Sequence, residues 1–117
     1  MSAQEPQAGV VTCPACDLHA AVDEPNDAID LYRRHTSVTG HDVEWERVAV
    51  GDAVTTADVK DALVALGDDY PEGVPLGVLT AALAERGVTI AATLDALYDL
   101  RMSGEIYEPR DDHVLAV

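Results

Sequence analysis

The spacing of apolar residues changes character partway along the chain. After a small, polar start over residues 1–9, which reads as a disordered tail, "VVTC" and "DLHAAV" form two short strand-like runs around "CPAC". "EPNDAIDLYRRH" then takes a helical period. Pro25 opens it, Asn26 and Asp27 are its capping residues, and Ile29, Leu31 and Tyr32 give it an apolar face. Thr39-Gly40 is a stop signal. In "HDVEWERVAV", Val43 and Trp45 alternate with Asp42, Glu44 and Glu46, the period of a strand with one buried face.

A joint at Gly51–Thr55 separates this first module, residues 10–50, from a second over 55–117, where the pattern is helical three times. "TADVKDALVALGDDY" begins with Thr55 or Thr56 as cap and aligns Val59, Leu63 and Leu66. "PEGVPLGVLTAALAERG" starts near Pro75, turns Leu76, Leu79 and Leu83 inward, and stops at Gly87. "VTIAATLDALYDLRMSG" is capped by Thr89, buries Ile90, Leu94 and Leu97, and ends at Gly104. A hairpin follows, Ile106-Tyr107 and Val114–Val117 around the turn-rich Pro109-Arg110-Asp111-Asp112, with Tyr107 expected to pack on the third helix. Three helices and a two-stranded wing, with Val74 as a short first strand, is the order of a winged helix–turn–helix. The expected fold class is therefore α+β: a small ββα module followed by a winged helix.

Composition adds a difficulty. The chain has 117 residues and no Phe, so its core rests on Ala, Val and Leu, each of which buries little area. A module of about 40 residues built this way needs a staple. Cys13 and Cys16 form C-x2-C, and His35 and His41 form H-x5-H eighteen residues further on. Two thiolates on a tight knuckle and two imidazoles at the end of a helix can close a tetrahedron around zinc, with no position left for water. His19 is a rival ligand, because C-x2-C-x2-H also brings three donors close. A redox role for the cysteines is disfavoured, since no thioredoxin-like βαβ pattern follows them. The arrangement loosely resembles a C2H2 finger, whose zinc would be structural.

The formal charge is -15, from 22 acidic and seven basic residues, and Lys60 is the only lysine. Acid spread evenly along a chain means a solvated surface, of the kind suited to the cytoplasm of a salt-loving archaeon. No apolar run is long enough for a membrane span, and the amino terminus has no secretory pattern.

At "LDALYDLRMSGEIYEPR", together with "YPEGVP" and "DDHV", residues 55–117 resemble the C-terminal winged-helix domain of archaeal minichromosome maintenance (MCM) helicases. The resemblance implies an accessory domain that modulates a motor and meets DNA or partner proteins. The motor itself is missing, for no G-x-x-x-x-G-K-[ST] occurs. Catalytic motifs are likewise absent, so the expected protein is not an enzyme and has no small-molecule substrate.

The leading expectation is a nucleic-acid-associated regulator of replication or transcription, with Arg33, Arg34, Arg101 and Arg110 as its DNA contacts. The outer face of the third helix argues against it: Ala91, Ala92, Asp95, Asp99 and Met102 offer phosphate little. The alternative is an adaptor that binds a protein of a replication or transcription complex, and a structural homodimer is a third class. The arginines discriminate. Convergence on one face favours DNA; pairing of each with an acid favours the adaptor.

Overall fold

The computed structural model describes residues 9–48 and 54–117. Of the expected tail over 1–9, residues 1–8 lie outside the described residues and Gly9 belongs to the first strand; of the expected joint at Gly51–Thr55, residues 51–53 lie outside them.

Strands β1 (Gly9–Thr12), β2 (His19–Val22) and β3 (Glu44–Val48) form an antiparallel sheet in the order β2-β1-β3. As its central strand, β1 buries both Val10 and Val11, whose side chains point to opposite faces. The register against β3 slips between them, leaving Glu46 of β3 as the extra, bulged residue. Helix α1 (Pro25–Thr39) crosses from β2 to β3. Its cap differs from expectation. Glu24 is the N-cap residue, Pro25 takes the first helical position, where a missing N–H costs nothing, and the Asp27 carboxylate accepts from the Glu24 N–H at 3.3 Å. Asn26 is released for another task, described below. Gly40 ends the helix in the left-handed conformation (φ 77°), with its N–H donating to Thr36 O.

The second segment contains α2 (Val59–Gly67), β4 (Val74–Pro75), α3 (Leu76–Ala84), α4 (Ile90–Met102), β5 (Ile106–Arg110) and β6 (His113–Ala116). Asp58, not Thr55 or Thr56, caps α2 by accepting from the Asp61 N–H, while Thr56 Oγ1 accepts from the Asp58 N–H one step earlier. Thr89 caps α4 as expected. The three short strands form an antiparallel sheet in the order β4-β6-β5. Pro109 lies within β5, tolerated because β5 is an edge strand. Tyr107 is half exposed on that edge and does not pack as expected.

Helix α3 joins the two segments. Every residue from Leu76 to Leu83 is buried, including Thr80, whereas the sequence pattern assigned only one inward face. A helix covered on all sides needs apolar or small residues all round. One side of α3 meets α2 and α4, and the other meets α1 and β3. Gly77 lies so close to α1 that an added Cβ would fall 2.0 Å from the Pro25 carbonyl. Trp45 of β3 donates its indole N–H to Thr80 Oγ1 at 3.1 Å in the interior. Ile29, Val43 and Trp45 from the first segment and Leu63, Leu79, Leu83 and Ile90 from the second belong to one hydrophobic core. The chain is thus a compact α+β globule: a β-hairpin and helix with a cysteine–histidine cluster, then a mixed helix and sheet part.

Candidate metal centre and the arginine surface

Tight local geometry places the cysteines. Cys13 follows β1 and is buried; its N–H donates to Leu18 O at 3.1 Å, and the Cys16 N–H reaches back to Cys13 O at 3.4 Å. Thr12 Oγ1 also donates to Leu18 O, closing the knuckle. The histidines are held by threonines. Thr39 Oγ1 donates to His35 O at 2.6 Å and accepts from the His41 N–H at 3.0 Å, while Thr36 Oγ1 donates to His41 O at 2.8 Å. The left-handed turn at Gly40 and these bonds fold His41 back beside His35, with ring centroids 5.8 Å apart.

The ligand atoms of Cys13, Cys16, His35 and His41 all lie within 4.8 Å of one another, and Cys16 Sγ is 3.4 Å from His35 Nε2. A tetrahedral ion bound at about 2.3 Å to sulfur and about 2.0 Å to nitrogen needs neighbouring donors roughly 3.3–3.8 Å apart. The group needs only a small contraction to meet that. His41 Nδ1 supplies a second sign: it is buried and has no hydrogen-bond partner among the described residues. A polar atom withdrawn from water without a partner is costly, and a metal bond satisfies it. Two thiols and two imidazoles are the donor chemistry of a borderline-soft divalent ion. The Leu18 backbone N–H draws the Cys16 thiol down, yet its bond with Cys13, desolvation and the Cys13 and Asp17 charges together hold it above its ordinary value. A bound cation would expel that proton.

His19, the rival ligand, stands apart. Its Nε2 lies 3.3 Å from Glu46 Oε2 on an exposed part of the sheet. The two cysteines are free thiols with no disulfide between them, and the knuckle does not open a helix.

The four arginines divide. Arg33 Nη1 donates to both carboxylate oxygens of Asp112, at 2.8 and 3.0 Å. Arg101 Nη1 donates to Glu108 Oε1 at 2.9 Å. These pairs are linked, because Glu108 Oε2 accepts from the Asp112 N–H at 2.7 Å. Among the described residues, Arg34 Nε donates to the backbone carbonyl of Asp30 at 3.4 Å and to no carboxylate. Arg110 borders a shallow depression with Asp69, Glu72 and His113. The Lys60 ammonium is engaged by Glu105, and that hydrogen bond, aided by Ser103, holds the Glu105 carboxyl below its usual range.

Between α1, α4 and the β5–β6 hairpin runs an open groove of about 420 Å³. Leu94, Leu97, Ile106 and Val114 line it, Tyr32 and Tyr98 flank it, and Arg33 and Arg101 border it together with Asp95 and Glu108. Burial first, then the Asp42 charge, raises the Tyr32 phenol above its ordinary value, so it stays neutral. Tyr98 and Met102 stand largely exposed on α4. Sequence reasoning did not find this groove, because its walls come from both segments. It also missed Asp112, which bonds Arg33 through its carboxylate and Asn26 through its carbonyl, and whose φ is 59°. The sequence signal was an Asp-Asp turn, and Asp tolerates that conformation better than most residues.

Among the described residues, no helix is long and apolar enough to cross a membrane. Residues 10–47 match the HVO_B0008 N-terminal family, and residues 64–114 match the HVO_B0008 C-terminal domain. HVO_B0008 is an archaeal family name. Neither a search of curated proteins nor one of solved structures gave a significant match.

Proposed function

We propose that this chain, an HVO_B0008 N-terminal domain followed by an HVO_B0008 C-terminal domain, is a non-enzymatic adaptor that docks on a protein of a replication or transcription complex. A structural zinc ion held by Cys13, Cys16, His35 and His41 staples its finger-like first part, and the second part acts as a winged helix. Four protein ligands close the coordination shell, so the ion supports folding and offers no catalytic position. The winged-helix reading rests on the order of three helices and two wing strands, with β4 as the short first strand. The MCM-like string "GEIYEPR" covers the end of the turn after α4 and the whole of β5, and this likeness directs the search for partners towards nucleic-acid machinery.

The observation that carries the adaptor over the DNA reader is the linked Arg33–Asp112–Glu108–Arg101 arrangement. Both arginines at the groove are already engaged by the protein's own acids, which lowers what they gain from phosphate. Counterion release favours several clustered, uncommitted cations, and this surface is acidic. The groove suits a protein segment with apolar side chains for Leu94 and Leu97 and a carboxylate at its flank. Each guanidinium spends a single nitrogen on its partner, and the Arg33 and Arg101 side chains remain 51% and 61% exposed. A second carboxylate can therefore join each without displacing the first.

The test uses zinc-loaded protein in molar KCl. Anisotropy of labelled single- and double-stranded DNA should remain flat. A photo-crosslinking residue at position 98 should capture a defined protein that the same residue at exposed Val38 does not, and Arg101→Glu should reduce the capture. Saturable DNA binding, weakened by Arg34→Glu with Arg110→Glu, would replace the adaptor with a DNA reader.

A further inference from the structure

Helix α1 touches three things at once. Near its carboxy-terminal end His35 faces Cys16 in the metal cluster. Three and two residues earlier, Tyr32 and Arg33 form one wall of the groove. At its amino-terminal end Asn26 acts as a clasp: its Oδ1 accepts from the Gly77 N–H at 2.7 Å, and its Nδ2 donates to Asp112 O at 3.3 Å. The same Asp112 carbonyl accepts from the Leu76 N–H at 2.9 Å, and the Asp112 carboxylate holds Arg33. The first amides of α3 and the tip of the hairpin are thus both fastened to α1. The Gly77–Pro25 approach leaves no room for α1 to shift towards α3.

From this geometry we infer that zinc occupancy controls the groove: the ion fixes α1, and α1 holds the hairpin tip and the groove wall in their docking positions. The inference rests on the zinc and docking readings above and adds the regulation of that same surface. The physical link is short. The small sheet contributes few large apolar side chains, so without the ion its hold on the end of α1 weakens. A helix released at one end can pivot about the other, and polar contacts such as Arg33–Asp112 require a fixed separation. Loss of metal therefore disengages Arg33 from Asp112 first and Asn26 from Gly77 and Asp112 next. Tyr32 moves out of the groove wall in the same step. The interior of α2, which packs on α3, α4 and β6, keeps its own contacts.

One amide reports on the clasp directly, the Gly77 N–H that donates to Asn26; the Leu76 N–H, bonded to Asp112 O, and the Asp112 N–H, bonded to Glu108, report on the hairpin tip. Their hydrogen exchange is to be followed by NMR in the full chain in molar KCl, zinc-loaded and after chelation, with zinc content measured in parallel. Chelation should speed exchange at Gly77 and Asp112 by about tenfold or more, with far smaller changes at Ala62 and Leu63 in α2. Asn26→Ala should bind zinc normally but exchange rapidly at Gly77 in both states, so that chelation adds little there. If chelation speeds exchange in residues 10–22 while Gly77, Leu76 and Asp112 stay unchanged, zinc is present but does not control the groove. Equal acceleration throughout α2 also overturns the inference, because it marks global unfolding. Protein that binds no zinc overturns the metal reading itself.

Discussion

His41 Nδ1 is a buried ring nitrogen with no hydrogen-bond partner among the described residues, on a side chain that offers a ligand atom within 4.8 Å of those of His35, Cys13 and Cys16. Such an atom is costly unless it binds something, and its neighbours make a cation the natural occupant. Cys13→Ser should lower bound zinc from one equivalent to none by elemental analysis, and His41→Ala should act in the same direction. His19→Ala should leave the stoichiometry unchanged, since His19 faces Glu46 outside the cluster. Zinc retained in Cys13→Ser, or lost in His19→Ala, would point to a different ligand set. The four grouped side chains were legible in the sequence because spacing alone constrains thiolates on a knuckle and histidines around a helix stop. What brings His41 back beside His35, while His19 stands apart, is the threonine-braced turn at Gly40, which no ligand spacing reveals. Asn26 was misread for a related reason. Its residue type suits a helix cap, but Glu24 and Asp27 perform the capping, and Asn26 bonds a glycine 51 positions away.

Among the elements, α3 departs furthest from its sequence pattern. Leu76, Leu79 and Leu83 announce one inward face, and they are buried. The remaining positions, Gly77, Val78, Thr80, Ala81 and Ala82, are small enough to read as a neutral outer face, yet all are buried, with α1 and β3 packed on the helix. Small side chains there allow two helices close approach, and Gly77 is the tightest point. Gly77→Ala should therefore destabilise the protein by about 1–3 kcal/mol, because the Pro25 backbone cannot move aside as a flexible side chain would. The measurement is chemical denaturation of the zinc-loaded variant. Unchanged or raised stability, as helix propensity alone would give, would mean that α1 does not sit on α3 this closely. Strand, helix and turn positions were otherwise legible wherever period and punctuation agreed, as in β3 and α4. Tyr107 shows the limit: residue type implied packing, but the edge position of β5 leaves it half exposed.

For the whole molecule, the sequence divides at a change of period, and the family matches fall on either side of that division. The core crosses it. Trp45, the only tryptophan, lies in the first segment and bonds Thr80 in the second, so its fluorescence reports on the contact between them. The groove exists only because α1 stands against α4 and the hairpin, which is why neither segment's pattern disclosed it. The most direct measurement is denaturant unfolding of the zinc-loaded protein in molar KCl, followed at once by Trp45 fluorescence and by far-ultraviolet circular dichroism. The account predicts coincident transitions, the mark of one cooperative unit. It also predicts that chelation separates them, with the Trp45 transition moving to lower denaturant. Separate transitions in the zinc-loaded protein would contradict it, because the two segments would then unfold independently and no metal-held groove would span them.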